Sequence, residues 1–262
     1  MTDVHSAALR GFSEEAEKYA RGRPDYPDEI LDWLRTKLEL SAGKTAVDLG
    51  AGTGKFTRLL VQTGAGIVAV EPVGAMREHL IRALPGVQAV AGTAQDMPLG
   101  SASADALTCA QSFHWFATEE ALEEIHRVLK PAGKLGLVWN VRDETVDWVA
   151  AITEIITPHE GDAPRFYKGD WRRPFAGELF ADLEETSFVY QHVGSAQEVI
   201  VDRFLSVSFI AALPAETKAD VAAQLNALIA SHPALRGRHP IRFPYRTRAY
   251  RCISNPRPGA ST

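Results

Sequence analysis

Asp48-Leu-Gly50-Ala-Gly52-Thr-Gly54 sets three alternate glycines behind an acidic residue, after an apolar run and before an amphipathic one. Glycine tolerates a tight turn and lets bare backbone approach a ligand. A helix opening beyond the turn presents unpaired N–H groups. Glu71 stands at the end of the next apolar run, 19 residues after Gly52, where a carboxylate can accept both hydroxyls of a ribose. Strand, glycine turn, helix, strand and acid in this order predict an adenosine-bearing ligand. Two ligands compete for that description. A dinucleotide site wants Gly-x-Gly-x-x-Gly, whose third glycine falls on Lys55 here, and a pyrophosphate wants N–H donors. The actual spacing puts Asp48 in place to accept from an ammonium group, which favours S-adenosylmethionine over NAD.

A second constellation is Ala110-Gln-Ser-Phe-His114-Trp115-Phe116, directly after an apolar run. Ligands of open α/β sheets bind at the carboxyl ends of strands, so Gln111 is expected to border the cofactor and His114 and Trp115 to face a second reactant. Phe113 and Phe116 are assigned to packing. An indole N–H only donates, so Trp115 can hold an anion but cannot take a proton. His114 can do either. A carboxylate acceptor, with pKa near ~4, needs positioning alone, whereas a phenol near ~10 gains from a base. Further along, Arg165, Lys168, Arg172 and Arg173 interleave with Phe166, Tyr167 and Trp171. This run reads either as a solvated face or as arginines closing over an acidic substrate.

The elements that must position these groups follow from hydrophobic period. Leu31, Leu34 and Leu38 recur at helical spacing, with Asp28 as the expected cap. Strands are predicted at 45–49, 67–70, 87–91, 104–110 and 135–139. Helices are predicted at 55–63, 75–84 and 118–129, the last capped by Thr118, and Pro131-Ala-Gly133 is read as a turn. Such alternation means a parallel sheet with helices on both faces. Residues 142–173 read as helical and then irregular, and 196–230 as helical. Strand candidates 188–192 and 241–253 flank that second stretch and are expected to close the sheet at its edge. Insertions of this size are usually functional, so the chain is read as one domain, 1–262. An N-terminal cover and helix (1–40) precede a cofactor-binding core (41–140). Cap segments follow at 141–174 and 196–231, with closing strands at 186–195 and 240–253.

As a set, Val47-Asp-Leu-Gly-Ala-Gly-Thr-Gly54, Val70-Glu-Pro72, Gly92-Thr-Ala-Gln-Asp-Met-Pro98 and Ile125-His-Arg-Val-Leu-Lys-Pro-Ala-Gly133 resemble the class I methyltransferases. The nearest branch is the small-molecule one with the type-11 methyltransferase domain. The resemblance covers residues 10–140 well and the rest loosely. It implies a doubly wound, mostly parallel seven-stranded α/β sheet with an antiparallel edge pair. It also implies S-adenosylmethionine over Gly50, Ala51 and Gly52, its ribose on Glu71, and its adenine beside Pro72 and Met76, with Ala94 and Gln95 reading the adenine edge. Many relatives carry Asp where Thr93 stands, which moves recognition of the adenine amine to Gln95 or Asp96. Phe12-Ser…Tyr19…Arg23-Pro-Asp-Tyr26-Pro27 is similar to the N-terminal cover of trans-aconitate methyltransferase-like relatives, where Tyr and Arg lie against cofactor or substrate. Pro24 and Pro27 stiffen this stretch as extended chain. Tyr19 could present its ring face to a sulfonium; the alternative is a packed arm. His114-Trp115 is similar to the pair in plant salicylate-type carboxyl methyltransferases that contacts the acceptor carboxylate.

The 262 residues are 45% hydrophobic and 23% charged with net charge −5, an ordinary globular composition that excludes disordered, collagen-like and disulfide-stapled classes. Cys109 and Cys252 cannot make a disulfide framework, so a cytoplasmic setting is expected. No apolar run suggests a membrane span, and no metal ligands are assigned. Seven arginines and no acid follow Asp220; they read as a terminal strand pairing with acidic neighbours rather than a nucleic-acid patch. The expected activity is methyl transfer from S-adenosylmethionine to a small, acidic acceptor, with a carboxylate favoured. Methylation of a phenol with His114 as base, a nucleic-acid methyltransferase and a non-catalytic cofactor-binding protein are the alternatives.

Overall fold

The computed structural model describes residues 23–256; Tyr19, with the rest of the N-terminal segment before Arg23, and Arg257 lie outside them. Seven strands form one sheet in the order β3-β2-β1-β4-β5-β7-β6. They are β1 (Thr45–Leu49), β2 (Gly66–Val70), β3 (Gln88–Val90), β4 (Ala104–Ala110), β5 (Leu129–Arg142), β6 (Glu184–Gly194) and β7 (Ile241–Ile253). β3, β2, β1, β4 and β5 pair in parallel, while β7 runs antiparallel between β5 and β6. The closing strands therefore fall where the sequence puts them, with β6 rather than β7 at the edge.

Alternation along the strands feeds two cores. On one face Val47, Leu49, Leu107, Cys109, Leu135 and Leu137 pack against Leu122 and Ile125 of helix α4 (Glu119–Val128). On the other, Ala46, Ala106 and Val138 pack against Ile30, Trp33 and Leu34 of α1 (Glu29–Lys37), with Phe56 and Leu60. Burying each of the Val, Leu, Ile and Phe side chains is worth about 1.5–3 kcal/mol. Thr118 caps α4 as expected, accepting from the Ala121 N–H at 3.2 Å. Asp28 does not cap α1. Its backbone is already helical (φ −59, ψ −30), whereas a capping side chain needs an extended residue behind it.

Three other expectations shift. The helix after the glycine turn, α2, is only Thr57–Val61, because its end tightens into bonds three residues apart (Gln62 N–H to Leu59 O, 3.1 Å; Thr63 N–H to Leu60 O, 3.0 Å); α3 follows at Gly74–Ala83. The Pro131–Gly133 turn lies inside β5 as an irregularity: pairing jumps from Ala104↔Leu129 to Ala106↔Lys134, with Ala132 at φ +58. The stretch 196–230 is broken into a π-helical turn (Gln197–Asp202) and helices at Arg203–Leu205, Ser208–Ala211 and Ala215–Ser231. With Trp148, Val149, Ile152 and Ile156 of the helix Asp147–Ile156, these form a third core over Ile241, Phe243 and Tyr245.

The late arginines pair with acids: Arg246 with Asp143 (3.5 Å), Arg248 with Glu185 (3.1 Å) and Arg251 with Glu184. No helix among the described residues is long and apolar enough to cross a membrane.

Candidate active site

β1 carries neighbours on both sides, β2 leading one way and β4 the other, and the crevice at its carboxyl end is where such sheets bind ligands. A cleft of about 190 Å³, partly open to solvent, lies there. Asp48, Gly50, Ala51 and Gly52 form its floor, and Glu71, Pro72 and Met76 one wall. Ala94 and Gln95 line it from the loop after β3, Gln111 and Trp115 from the loop after β4, and Arg23 from the N-terminal side. Every expected cofactor residue therefore reaches one cavity. His114 does not line it.

Gly50 and Gly52 sit at φ +69 and +57, the left-handed region that glycine enters at least cost. A Cβ on Gly50 would lie 2.7 Å from the Cβ of Ser112, whereas one on Gly52 would meet only the sulfur of Met76, at 3.7 Å. The first glycine is a packing requirement between two loops; the second leaves backbone bare toward the cleft. Glu71 locks the turn: its Oε2 accepts from Gly52 N–H and its Oε1 from Val73 N–H, both at 2.8 Å. Burial raises its pKa, and these N–H groups and Arg77 oppose the rise. A carboxylate oxygen holds more than one acceptor site, so both oxygens can still accept from a diol.

Asp48 is almost wholly buried. Burial pushes its carboxyl up to about 7, against the hydroxyls of Thr57 (2.6 Å) and Thr108 (3.4 Å) and with a further push from Glu71. No cation among the described residues neutralises it. Thr93, where relatives carry Asp, lines the same cleft with a buried hydroxyl that has no hydrogen-bond partner. Asp96 is not part of the lining. A buried acceptor beside bare backbone, a carboxylate with acceptor capacity to spare and an orphaned hydroxyl suit a ligand carrying an ammonium group, a ribose and a heteroaromatic edge.

The methyltransferase-domain family matches residues 47–137. A methyltransferase-like protein of Schizosaccharomyces pombe is 38% identical over 95% of this chain and 97% of its own. A methyltransferase of Mycobacterium tuberculosis is 38% identical over 90% and 92%. The chain belongs to the class I S-adenosylmethionine-dependent methyltransferases. Similar folds include a protein described as a methyltransferase of antibiotic biosynthesis in Anabaena variabilis (TM-score 0.63, 18% identity, 88% of this chain and 98% of that one). Another is Haemonchus contortus phosphoethanolamine N-methyltransferase 2 in complex with S-adenosylmethionine (TM-score 0.58, 13% identity, 98% of this chain and 61% of that one). S-adenosylmethionine is the cofactor of this methyltransferase, and the cleft residues fit it.

Behind the lining of the methyltransferase's cleft, His114 Nδ1 faces the indole N–H of Trp139 at 3.1 Å. Indole only donates, so Nδ1 accepts and the ring hydrogen sits on Nε2. Burial, with the positive charges of Arg165 and Arg23, lowers the His114 pKa to about 3. Trp139 is itself wedged among Trp171 (4.7 Å), Phe166 (4.9 Å) and Tyr250 (5.9 Å).

Of the cap cations singled out in the sequence, only Arg165 comes near this region. Arg172 lies over the Trp171 and Tyr250 rings (4.4 and 4.8 Å), and Arg173 is exposed and paired with Asp170. Sequence reasoning missed Thr93 as a lining residue, Trp139 as the partner of His114, and Arg203, which also lines the cleft. The first had a signal, since it departs from the family's pattern. The other two had none, because they reach the site from strand and helix positions distant in the chain.

Proposed function

We propose that this methyltransferase methylates a carboxylate oxygen of a small-molecule acid. The observation carrying this reading is the His114–Trp139 pair: the imidazole is neutral, its one lone pair is engaged, and it offers only Nε2–H. A group with a pKa of about 3 is a poor base for a phenol. A carboxylate is already ionised and requires only donors, orientation and a dry site.

In this reading the bound cofactor supplies an electrophilic methyl group on a sulfonium. Asp48 accepts from its ammonium group, Glu71 from the ribose, Pro72 and Met76 flank the adenine, and Thr93, Ala94 and Gln95 read its edge. Arg23 lies at the carboxylate end. Trp115 orients the acceptor, backed by the His114 ring at 5.2 Å, and Gln111, held at φ +59, borders cofactor and acceptor. The two buried free thiols suit a reducing cytoplasm.

Methyl-labelled cofactor incubated with the protein and a fraction of small organic acids, followed by mild alkali, tests the reaction type. A methyl ester releases labelled methanol. Label that resists alkali would mean an ether, amine or carbon product and would overturn the carboxylate reading.

A further inference from the structure

Arg203 follows the π-helical turn Gln197–Asp202, a local geometry common at functional sites. It is 8% exposed and lines the cleft, yet among the described residues its buried Nε and Nη1 have no hydrogen-bond partners. A buried guanidinium left in this state is costly unless a ligand completes it. Nearby acids are engaged elsewhere. Asp25 pairs with Lys55 (3.2 Å), Glu144 with Arg142 (3.4 Å), and Asp202 accepts from Gln197 (2.7 Å). Glu160 is shared by Lys168 (3.0 Å), Arg165 (3.5 Å) and the Tyr167 hydroxyl.

The cations nevertheless converge. The guanidinium carbons of Arg203 and Arg142 each lie 5.5 Å from the centre of the Phe204 ring, and that of Arg165 lies 5.0 Å from Phe209. Burial lowers the pKa of Arg142 and of Arg165, the latter to about 10, and mutual repulsion with Arg203 adds to both shifts. The hydroxyl of Tyr245, opposite Arg142 in the sheet, is also buried and unpartnered. The cofactor cannot balance this charge. With sulfonium, ammonium and one carboxylate it is itself a net cation, and Arg23 and Lys55 add further positive charge to the lining.

We propose that Arg203, backed by Arg142 and Arg165, binds a second anionic group of the methyl acceptor, a carboxylate or a phosphate remote from the atom methylated. This rests on the carboxylate reading only in assigning the anion to the acceptor. The acceptor is then at least a dianion, held at the cap by one group while the other faces Trp115. Arginine suits the task because its fork matches carboxylate and phosphate oxygens in pairs.

The test is binding to protein saturated with S-adenosylhomocysteine, read by calorimetry and thermal shift. The probes are glutarate, inorganic phosphate and neutral glutaramide. Glutarate or phosphate is expected to bind and raise the midpoint, and glutaramide to do neither; which anion binds tells the carboxylate acceptor from the phosphorylated one. Arg203→Met is expected to weaken the anion at least tenfold while S-adenosylhomocysteine affinity stays within about threefold. Without ligand, the variant is expected to melt about 2–4 °C higher, because an unpaired buried charge is gone.

Failure of both anions to bind the saturated wild type overturns the proposal, and needs no variant to fold. A parallel loss of S-adenosylhomocysteine affinity in Arg203→Met also overturns it, by assigning the residue to the cofactor. The alkali test reads which atom is methylated, so either idea can fail while the other stands.

Discussion

Asp48 is held in a state that opposes folding near neutral pH, and Asp48→Asn should expose how strongly. Burial places its pKa at about 7 against 3.8 for an unperturbed Asp. That is roughly three pKa units at 1.36 kcal/mol each, or about 4 kcal/mol. The sign follows from proton uptake. Between pH 4 and 7 the unfolded chain has lost this proton while the folded one keeps it. Stability is therefore full below pH 4, falls as pH rises toward 7 and levels off above. Asn is nearly isosteric, can accept from Thr57 where the carboxylate does, and has no proton to lose. Urea unfolding at pH 4.5 and pH 8 should show the variant close to wild type at the first and more stable by up to about 4 kcal/mol at the second. Its affinity for S-adenosylhomocysteine should fall by about ten- to a hundredfold, the worth of one hydrogen bond to a charged group. Wild type and variant sharing one pH profile of stability would refute the reasoning, as would undiminished cofactor affinity.

Replacing His114 with Ala should cost up to about a hundredfold in kcat/KM, as misplacing an orienting group does once the ring backing Trp115 is gone, and equally from pH 6 to 9; recovery at high pH would mean a base had been removed. Gly50→Ala should destabilise by about 2–4 kcal/mol, combining left-handed strain with the 2.7 Å overlap on Ser112. Gly52→Ala should cost only about 1–2 kcal/mol yet weaken S-adenosylhomocysteine at least tenfold, so thermal melts and binding curves should rank the two variants oppositely. Arg248→Gln should change stability by less than ~1 kcal/mol in urea, because its pair with Glu185 is half exposed.

The cofactor half of this enzyme was legible because local chemistry and position coincide there. The turn at 48–54, the acid at 71 and the loops at 92–95 and 110–115 each lie directly after a strand, so predicting the strands predicts where these residues meet. β1, β4 and β7 have the predicted bounds. The proposed acceptor half was legible only at Arg165, for a physical reason. Arg142, Arg165 and Arg203 come from the end of a strand, an irregular loop and a helix after a π-helical turn, and no periodic pattern links them. Trp139 reads simply as a strand residue until its indole is seen against His114.

The two halves share one electrostatic design. Among the described residues, a buried carboxyl at Asp48 and a buried guanidinium at Arg203 both lack counter-charges, and both line one cleft. A hydrophobic core gains nothing from either, and a salt bridge between them would have removed the cost. Keeping them apart leaves each to be neutralised by a ligand of opposite sign. Binding free energy then includes the relief of a penalty already present in the fold, an advantage a solvated surface charge cannot supply because water has screened it. Cofactor and anion should consequently each raise the melting temperature of the wild type, by steps that shrink in Asp48→Asn and Arg203→Met respectively. If each substitution instead left both steps at full size, the buried charges would be ornaments of packing and the site would have to be sought elsewhere.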